Sequence, residues 1–139
     1  MPKYPTGVVT FLFTDIEGST KLWEQHRKTM RRVMAHHDEI IESTVEENEG
    51  LIVRPRGEGD SRFAVFSQAR GAVHTAAEIQ QRLATEFADE PISVRVRIGM
   101  HTGSADLRMG DYYGSTVNRC ARIRGIGHGG QTLLSKVTA

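Results

Sequence analysis

Two aspartates in different loops are the residues of this chain best suited to chemistry. Asp15 ends an apolar run, and Asp60 lies in a glycine-rich turn between two further apolar runs. Carboxylates at a strand end and on a turn are typical ligands of Mg²⁺, which prefers oxygen donors. Gly18, Ser19 and Thr20 follow Asp15 and open a helix, where backbone N–H groups attract phosphate. The pattern therefore predicts metal-dependent nucleotide chemistry, although each aspartate taken alone is also typical of a helix cap or a turn.

Length and composition restrict the setting of this chemistry. The 139 residues match one domain, 1–139, which is large enough to bury a core. The net charge of +1 gives no overall field to attract nucleic acid, and no apolar stretch approaches the roughly 20 residues of a membrane helix. Cys120 is the only cysteine, which excludes a disulfide within the chain and favours a reducing, cytoplasmic location.

Hydrophobic periodicity predicts the strands and helices that would position the two aspartates. Apolar runs of strand length predict strands, and apolar residues at three- and four-residue spacing predict helices. The predicted strands cover 8–13, 51–54, 62–66, 92–100 and 131–135. A short helix capped by Ser19 or Thr20 follows the first strand, and the longer predicted helices cover 29–48, 68–88 and 115–124. Residues 103–114 are predicted to form a loop or short arm. This order fits an α+β, ferredoxin-like sandwich with a mainly antiparallel sheet and helices packed on one face. In that topology a hairpin beside the first strand brings the turn with Asp60 next to Asp15.

Three segments carry a resemblance to a known family. They are Phe13–Thr20, Gly59–Asp60 and Asp111–Arg122, in this order along the chain. They resemble segments of the class III nucleotidyl cyclase catalytic domain, and the bacterial adenylate cyclases are the most similar members. The similarity runs from about Gly7 to Ser135 and so covers nearly the whole chain.

The resemblance implies an adenylate cyclase that converts ATP to 3′,5′-cyclic AMP and pyrophosphate. It implies a head-to-tail homodimer with active sites between the subunits. In each site one subunit would hold two Mg²⁺ or Mn²⁺ ions through Asp15, Asp60 and the backbone carbonyl of Ile16. The loop of Gly18, Ser19 and Thr20 would contact the substrate. Two metal ions suit in-line attack of the ribose 3′-OH on the α-phosphate, because they stabilise both the attacking and the leaving oxygen.

The resemblance also implies which residues the second subunit would contribute. Asp111 falls where the family accepts a hydrogen bond from the adenine amino group, Asn118 where it positions the ribose, and Arg122 where it stabilises charge on the phosphate. Asn118 and Arg122 are four residues apart, so they lie on one face of the predicted helix. Catalysis would then rest on positioning and charge stabilisation.

Two departures from the family pattern affect these expectations. Adenine-specific members carry a lysine four residues before the second metal aspartate, and this chain has Arg56 there. The guanidinium of Arg56 can still donate to adenine N1 and can also donate to guanine O6, whereas Asp111 favours ATP because guanine-specific relatives usually lack an aspartate there. Family domains also continue past Ser135 to a triphosphate-binding lysine, so this domain is expected to be short at its C-terminal end.

A second class of function therefore competes with the enzyme. A degenerate cyclase-like module would bind nucleotide, or only dimerise, and regulate domains attached to it in a longer protein. Arg56 and the early C-terminus favour this module. Both metal aspartates, together with Asn118 and Arg122, favour an active cyclase, and guanylate cyclase remains a third alternative.

Overall fold

The computed structural model describes residues 4–53, 61–135 and 138. In chain order its elements are β1 (Val8–Ile16), α1 (Ser19–Gln25), α2 (Arg27–Glu47), β2 (Leu51–Val53), β3 (Arg62–Phe66), α3 (Ala69–Glu86), β4 (Val96–Ser104), β5 (Asp106–Arg108), β6 (Asp111–Tyr113), α4 (Ser115–Gly125) and β7 (Thr132–Leu134). Each predicted strand and helix has a counterpart, and the predicted short arm is the β5–β6 hairpin.

Five strands form one sheet in the order β2-β3-β1-β4-β7. All neighbouring pairs are antiparallel except β4 and β7, which run parallel. The first four strands in that order, with the helices between them, have the topology of a ferredoxin-like sandwich. The predicted α+β class and mainly antiparallel sheet are therefore confirmed.

The central strand β1 is buried on both faces, and this decides where the helices pack. Leu12 and Ile16 face a core formed with α2 and α3, against which α1 also packs. Phe11 and Phe13 point to the opposite face and join a second core that includes Val117 of α4. The prediction of helices on one face holds for α1 to α3 and is wrong for α4, because a strand that is apolar on both sides needs a cover on each.

The bounds of β1 and β4 differ from the prediction, and the difference moves the candidate metal ligand. β1 continues past the predicted end at residue 13, because its last residues still pair with β4, with Asp15 opposite Arg97 and Ile16 opposite Val96. Asp15 therefore lies within a strand rather than after it. β4 begins at Val96 instead of residue 92 and extends to Ser104.

The start of α1 also differs from the prediction. Gly18 is the N-cap residue, in a left-handed conformation with φ of 66°, and no side chain caps the helix. Ser19 is the first helical residue, so the prediction that Ser19 or Thr20 caps this helix is wrong. Glycine adopts this conformation without steric strain, which allows the chain to turn sharply after β1.

Candidate active site

Asp15 lies at the centre of a small cluster of opposite charges. Its side chain is only 9% exposed, and both of its oxygens accept hydrogen bonds from Arg97 on the neighbouring strand. Arg97 Nε lies 2.8 Å from Oδ1, and Nη2 lies 2.6 Å from Oδ2. Because the two residues are directly opposite in the β1–β4 register, the guanidinium meets the carboxylate in a two-bond geometry, the strongest arrangement for such a pair.

Arg124 brings a second positive charge to the same carboxylate from α4. Its Nε lies 3.5 Å from Asp15 Oδ2, and its guanidinium carbon lies 5.2 Å from the centre of the Phe13 ring. The Nε atom is buried and, within the described part of the chain, forms an ion pair with Asp15 but no hydrogen bond. Arg124 is therefore held at Asp15 by charge and by the aromatic face rather than by a well-formed hydrogen bond.

Close packing of α4 on the sheet makes this position of Arg124 possible. A Cβ atom added to Gly99 of β4 would lie 2.3 Å from the backbone nitrogen of Arg124. Only a residue without a side chain allows the last turn of α4 to come this close to the strand. The buried thiol of Cys120 lies on the same side of α4, 3.4 Å from the carbonyl oxygens of Phe11 and Gly99. Burial raises the pKa of this thiol to about 12, so Cys120 packs as a neutral residue.

The segment that follows Asp15 is tied to the turn after α4. Glu17 donates its backbone N–H to the carbonyl of Arg95 at 2.9 Å, and its carboxylate accepts a hydrogen bond from the backbone of Gly129. Gly130 in turn donates to the carbonyl of Val96 at 2.9 Å. The segment that follows β1 and the turn at residues 128–130 therefore form one hydrogen-bonded unit beside the site.

The second predicted metal ligand, Asp60, lies outside the described residues, and so does Arg56. The strand that follows them begins beside the site, because Arg62 is opposite Thr14 in the β1–β3 register. Arg62 is fixed there by an ion pair of 2.6 Å with Asp38 of α2. The predicted approach of the hairpin to Asp15 is thus supported as far as Arg62.

The donor chemistry around Asp15 fits a divalent cation in part. The carboxylate oxygens of Asp15 are the kind of donor that Mg²⁺ or Mn²⁺ prefers, although Arg97 and Arg124 occupy them in this structure. Ile16 follows it at the end of β1. Within 4–53, 61–135 and 138 no group of three or more His, Cys, Asp or Glu side chains is placed to hold a metal ion. A complete site would need Asp60 in addition to Asp15.

The two residues predicted to act on the ribose and the phosphate lie on α4. Asn118 and Arg122 are both exposed, whereas Val117 and Cys120 of the same helix are buried against the sheet. The expected common face for Asn118 and Arg122 agrees with this exposure, and it points away from the core. Their chemical roles stay predictions.

Asp111 is the first residue of β6, next to the turn of the β5–β6 hairpin, where it is half-buried. Its Oδ1 accepts a hydrogen bond of 2.8 Å from the backbone of Tyr112. The hairpin is anchored by Tyr112, whose ring contacts Phe11 edge-on at 5.1 Å and whose hydroxyl donates to the carbonyl of Pro5 at 2.6 Å. Burial raises the pKa of this hydroxyl to about 12. Asp111 is thus carried by a well-anchored arm, and its contact with a base stays a prediction.

The predicted phosphate-binding loop is accessible but short. Gly18 and Thr20 are exposed and Ser19 is half-buried, at the start of a helix of only 7 residues. The structure places this loop next to Asp15 along the chain. Whether it contacts a phosphate stays a prediction.

Arg97 and Arg124 are the site residues that sequence reasoning missed. Arg97 alternates with the apolar residues Val96 and Ile98 in the predicted strand 92–100, a pattern that indicates a solvent-facing side chain, and Arg124 lies outside the three segments that resemble the family. The signal for Arg97 is the register of β1 against β4, which a single sequence does not contain. The signal for Arg124 is the packing of α4 on the second face.

Comparisons with known proteins place this arrangement in a family. Residues 1–139 match the family described as the adenylate and guanylate cyclase catalytic domain. An uncharacterized protein of Mycobacterium tuberculosis is 40% identical over 134 residues, which are 96% of this chain and 45% of that protein. The receptor-type adenylate cyclase GRESAG 4.3 of Trypanosoma brucei brucei is 32% identical over 96% of this chain and 14% of its own length. The chain thus spans less than half the length of these two relatives.

A solved structure gives the same result at the level of the fold. An adenylate cyclase from Trypanosoma brucei in its monomeric state superposes with a TM-score of 0.83 at 32% identity, over 99% of this chain and 77% of that one. Among the described helices, none is long and apolar enough to cross a membrane. Because the family match covers residues 1–139, this chain belongs to the adenylate and guanylate cyclase catalytic domain family.

Proposed function

We propose that this domain is an adenylate cyclase that converts ATP to 3′,5′-cyclic AMP and pyrophosphate. The observation that carries the proposal is the division of the site residues within one chain. Asp15 is buried in the sheet, whereas Asn118 and Arg122 are exposed on α4. Exposed polar residues with predicted roles in catalysis need a surface to act on, and a second copy of the same chain would provide it.

In this proposal each active site lies between two copies of the chain. One copy contributes Asp15, the carbonyl of Ile16 and Asp60 to hold Mg²⁺ or Mn²⁺. Bound there, two such ions would activate the 3′-OH and stabilise the leaving pyrophosphate. The other copy contributes Asn118, which orients the ribose, and Arg122, which offsets the negative charge that develops on the phosphate.

The proposed preference for ATP rests on relatives and on one residue. GRESAG 4.3 and the superposed trypanosome structure are both named adenylate cyclases. Asp111 supplies a carboxylate that can accept a hydrogen bond from the adenine amino group, which guanine lacks at that position. Arg56 would donate to adenine N1 in place of the family's lysine.

Product formation by the purified domain tests this proposal. We expect cyclic AMP from ATP in the presence of Mn²⁺ or Mg²⁺ and a strong loss in Asp15→Asn, which keeps the shape of the side chain and removes its charge. Arg122→Ala should lower the rate by about 10²–10³, as expected for the loss of a charge-stabilising donor. Mixing the two variants should restore part of the activity. A dimer of one Asp15→Asn copy and one Arg122→Ala copy has two active sites, and one of them contains both wild-type residues.

Two outcomes would lead to other conclusions. Cyclic GMP from GTP, with little product from ATP, would make the domain a guanylate cyclase and would assign Arg56 to guanine. No product from either nucleotide, in a folded and dimeric sample, would favour the regulatory module. One observation favours that module as the second candidate: Arg97 and Arg124 already neutralise the carboxylate of Asp15.

A further inference from the structure

Three contacts join the segment around Asp15 to α4 and the turn after it. Arg124 of α4 lies 3.5 Å from Asp15, and Arg97, which binds Asp15, also donates to the carbonyl of Gly125 at 3.4 Å. The third contact is the hydrogen bond from the backbone of Gly129 to the carboxylate of Glu17. A change in what Asp15 binds therefore acts directly on the C-terminal end of α4.

The same helix carries Asn118 and Arg122 on its exposed side. Arg124 is two residues from Arg122, so the two side chains leave α4 in different directions. Arg124 points to the Asp15 of its own chain, whereas Asn118 and Arg122 face outward, where the proposed function places the second site. One helix thus joins the Asp15 of its own chain to the surface proposed to face the second site.

We propose that Arg124 is a positioning residue that couples cation binding at Asp15 to the placement of Asn118 and Arg122. This inference rests on the proposed function, because it needs Asp15 to bind a cation. A divalent cation at Asp15 repels the two guanidinium groups beside it, so at least the more weakly held Arg124 must move away. Arg124 forms no hydrogen bond through its Nε within the described residues, in contrast to the two bonds of Arg97.

The packing around Arg124 explains why its movement would shift the helix. Its backbone nitrogen lies directly over Gly99, and its side chain lies over the ring of Phe13. The guanidinium cannot leave Asp15 by rotating into the sheet. It has to move outward, toward the solvent side, and this removes the contact with Asp15 that helps to hold the last turn of α4 on the sheet, so that the turn can shift. In the head-to-tail dimer this movement changes the position of Arg122 at the other active site.

The test measures Mn²⁺ binding directly, by titration calorimetry on the whole domain without nucleotide. Removing one competing charge in Arg124→Gln should tighten binding roughly ten-fold, the scale expected for one unit charge at a partly solvated site. Arg124→Lys keeps the charge and should bind Mn²⁺ like the wild type. Arg119→Gln removes an exposed charge from the same helix and is the matched control, with no change expected. Loss of folding alone would weaken binding, so tighter binding cannot arise from a damaged domain.

Hydrogen exchange of the amides at 118–126 provides the second readout. Mn²⁺ should change their exchange rates in the wild type and in Arg119→Gln, but not in Arg124→Gln, where the link is broken. Unchanged affinity in Arg124→Gln, together with a wild-type exchange response, would overturn the coupling. Asp15→Asn separates this failure from failure of the proposed function. If Asp15→Asn loses Mn²⁺ binding while Arg124→Gln behaves as the wild type, only the coupling is wrong. If Asp15→Asn binds Mn²⁺ as tightly as the wild type, the prediction of a metal site at Asp15 is wrong, and the proposed coupling through Arg124 is wrong as well.

Discussion

Replacing Gly99 by alanine is the sharpest test of how α4 packs on the sheet. The new Cβ atom would lie 2.3 Å from the backbone nitrogen of Arg124 and 2.7 Å from its Cα. An ordinary contact begins at about 3.4 Å, so the helix would have to move by roughly 1 Å. The backbone of a hydrogen-bonded helical turn cannot rotate away as a side chain can, so the whole last turn of α4 has to shift.

The size of the effect follows from this geometry. Overpacking typically destabilises a core by about 1–3 kcal/mol, and a clash with backbone belongs at the upper end, about 3 kcal/mol. Unfolding entropy of about 2.1 cal/mol/K per residue gives about 0.29 kcal/mol/K for 139 residues. The expected fall in Tm for Gly99→Ala is therefore about 10 °C.

Gly103→Ala is a matched control on the same strand and under the same helix. Its Cβ atom would meet only side-chain atoms, Thr116 Oγ1 at 2.8 Å and Cγ2 at 2.9 Å. Thr116 can rotate away and give up its hydrogen bond to the carbonyl of Ser104, which costs about 1 kcal/mol or about 3–4 °C in Tm. Thermal and urea unfolding of both variants measure the difference. A Gly99→Ala domain as stable as the wild type, or no more destabilised than Gly103→Ala, would refute the packing described for α4.

Three further predictions concern other parts of the domain. Tyr112→Phe removes the hydroxyl that donates to the carbonyl of Pro5 at 2.6 Å, and we expect a loss of about 1 kcal/mol in urea unfolding, whereas an unchanged midpoint would show that this bond contributes nothing. Cys120, with its pKa raised to about 12 by burial, should not react with a thiol reagent at mildly alkaline pH until the domain is unfolded, and fast labelling of the folded domain would contradict its burial. The hydrogen bond from Arg32 lowers the pKa of Glu90 below its ordinary value of 4.5, so Glu90 contributes stability that is present above that pH and is lost as the pH falls through the lowered pKa. Glu90→Gln should therefore lose less stability on acidification than the wild type. Equal losses in the two proteins would exclude the Arg32–Glu90 pair as a source of acid sensitivity.

The parts of the fold that the sequence predicts well are those that depend on local periodicity. The stripe of α3, from Ala72 to Leu83, is buried as its three- and four-residue spacing indicates. The hairpin of β2 and β3 follows from two apolar runs on either side of a glycine-rich turn. In each case neighbours along the chain decide the outcome, so one sequence contains the necessary information.

The parts that could not be predicted depend on pairing between distant segments. The register that brings Arg97 to Asp15 joins residues 82 positions apart, and alternation alone gives only the side of the strand, not the partner. The position of α4 on the second face follows from the burial of β1 on both sides, which a continuous apolar run permits but does not require. The charge cluster at Asp15 arises from both features together, so it becomes visible only in three dimensions.

The exposure of the two arginines at Asp15 bears on whether this aspartate can act as a metal ligand as well as a structural partner. A fully buried ion pair is strongly destabilised, by about 3–5 kcal/mol, when one partner is lost, whereas an exposed pair contributes about 0–1 kcal/mol. The side chains of Arg97 and Arg124 are 26% and 20% exposed, so both guanidinium groups lie where they can regain water when they leave the carboxylate. Displacing them therefore costs less than opening a fully buried pair but more than opening a surface pair, because the Asp15 side chain is only 9% exposed. A divalent cation interacts with a carboxylate about twice as strongly as a single positive charge at equal distance, so its attraction matches that of the two guanidinium groups together. The ion pairs are therefore compatible with Asp15 as a metal ligand, and they set a moderate threshold that the cation has to exceed before α4 is released.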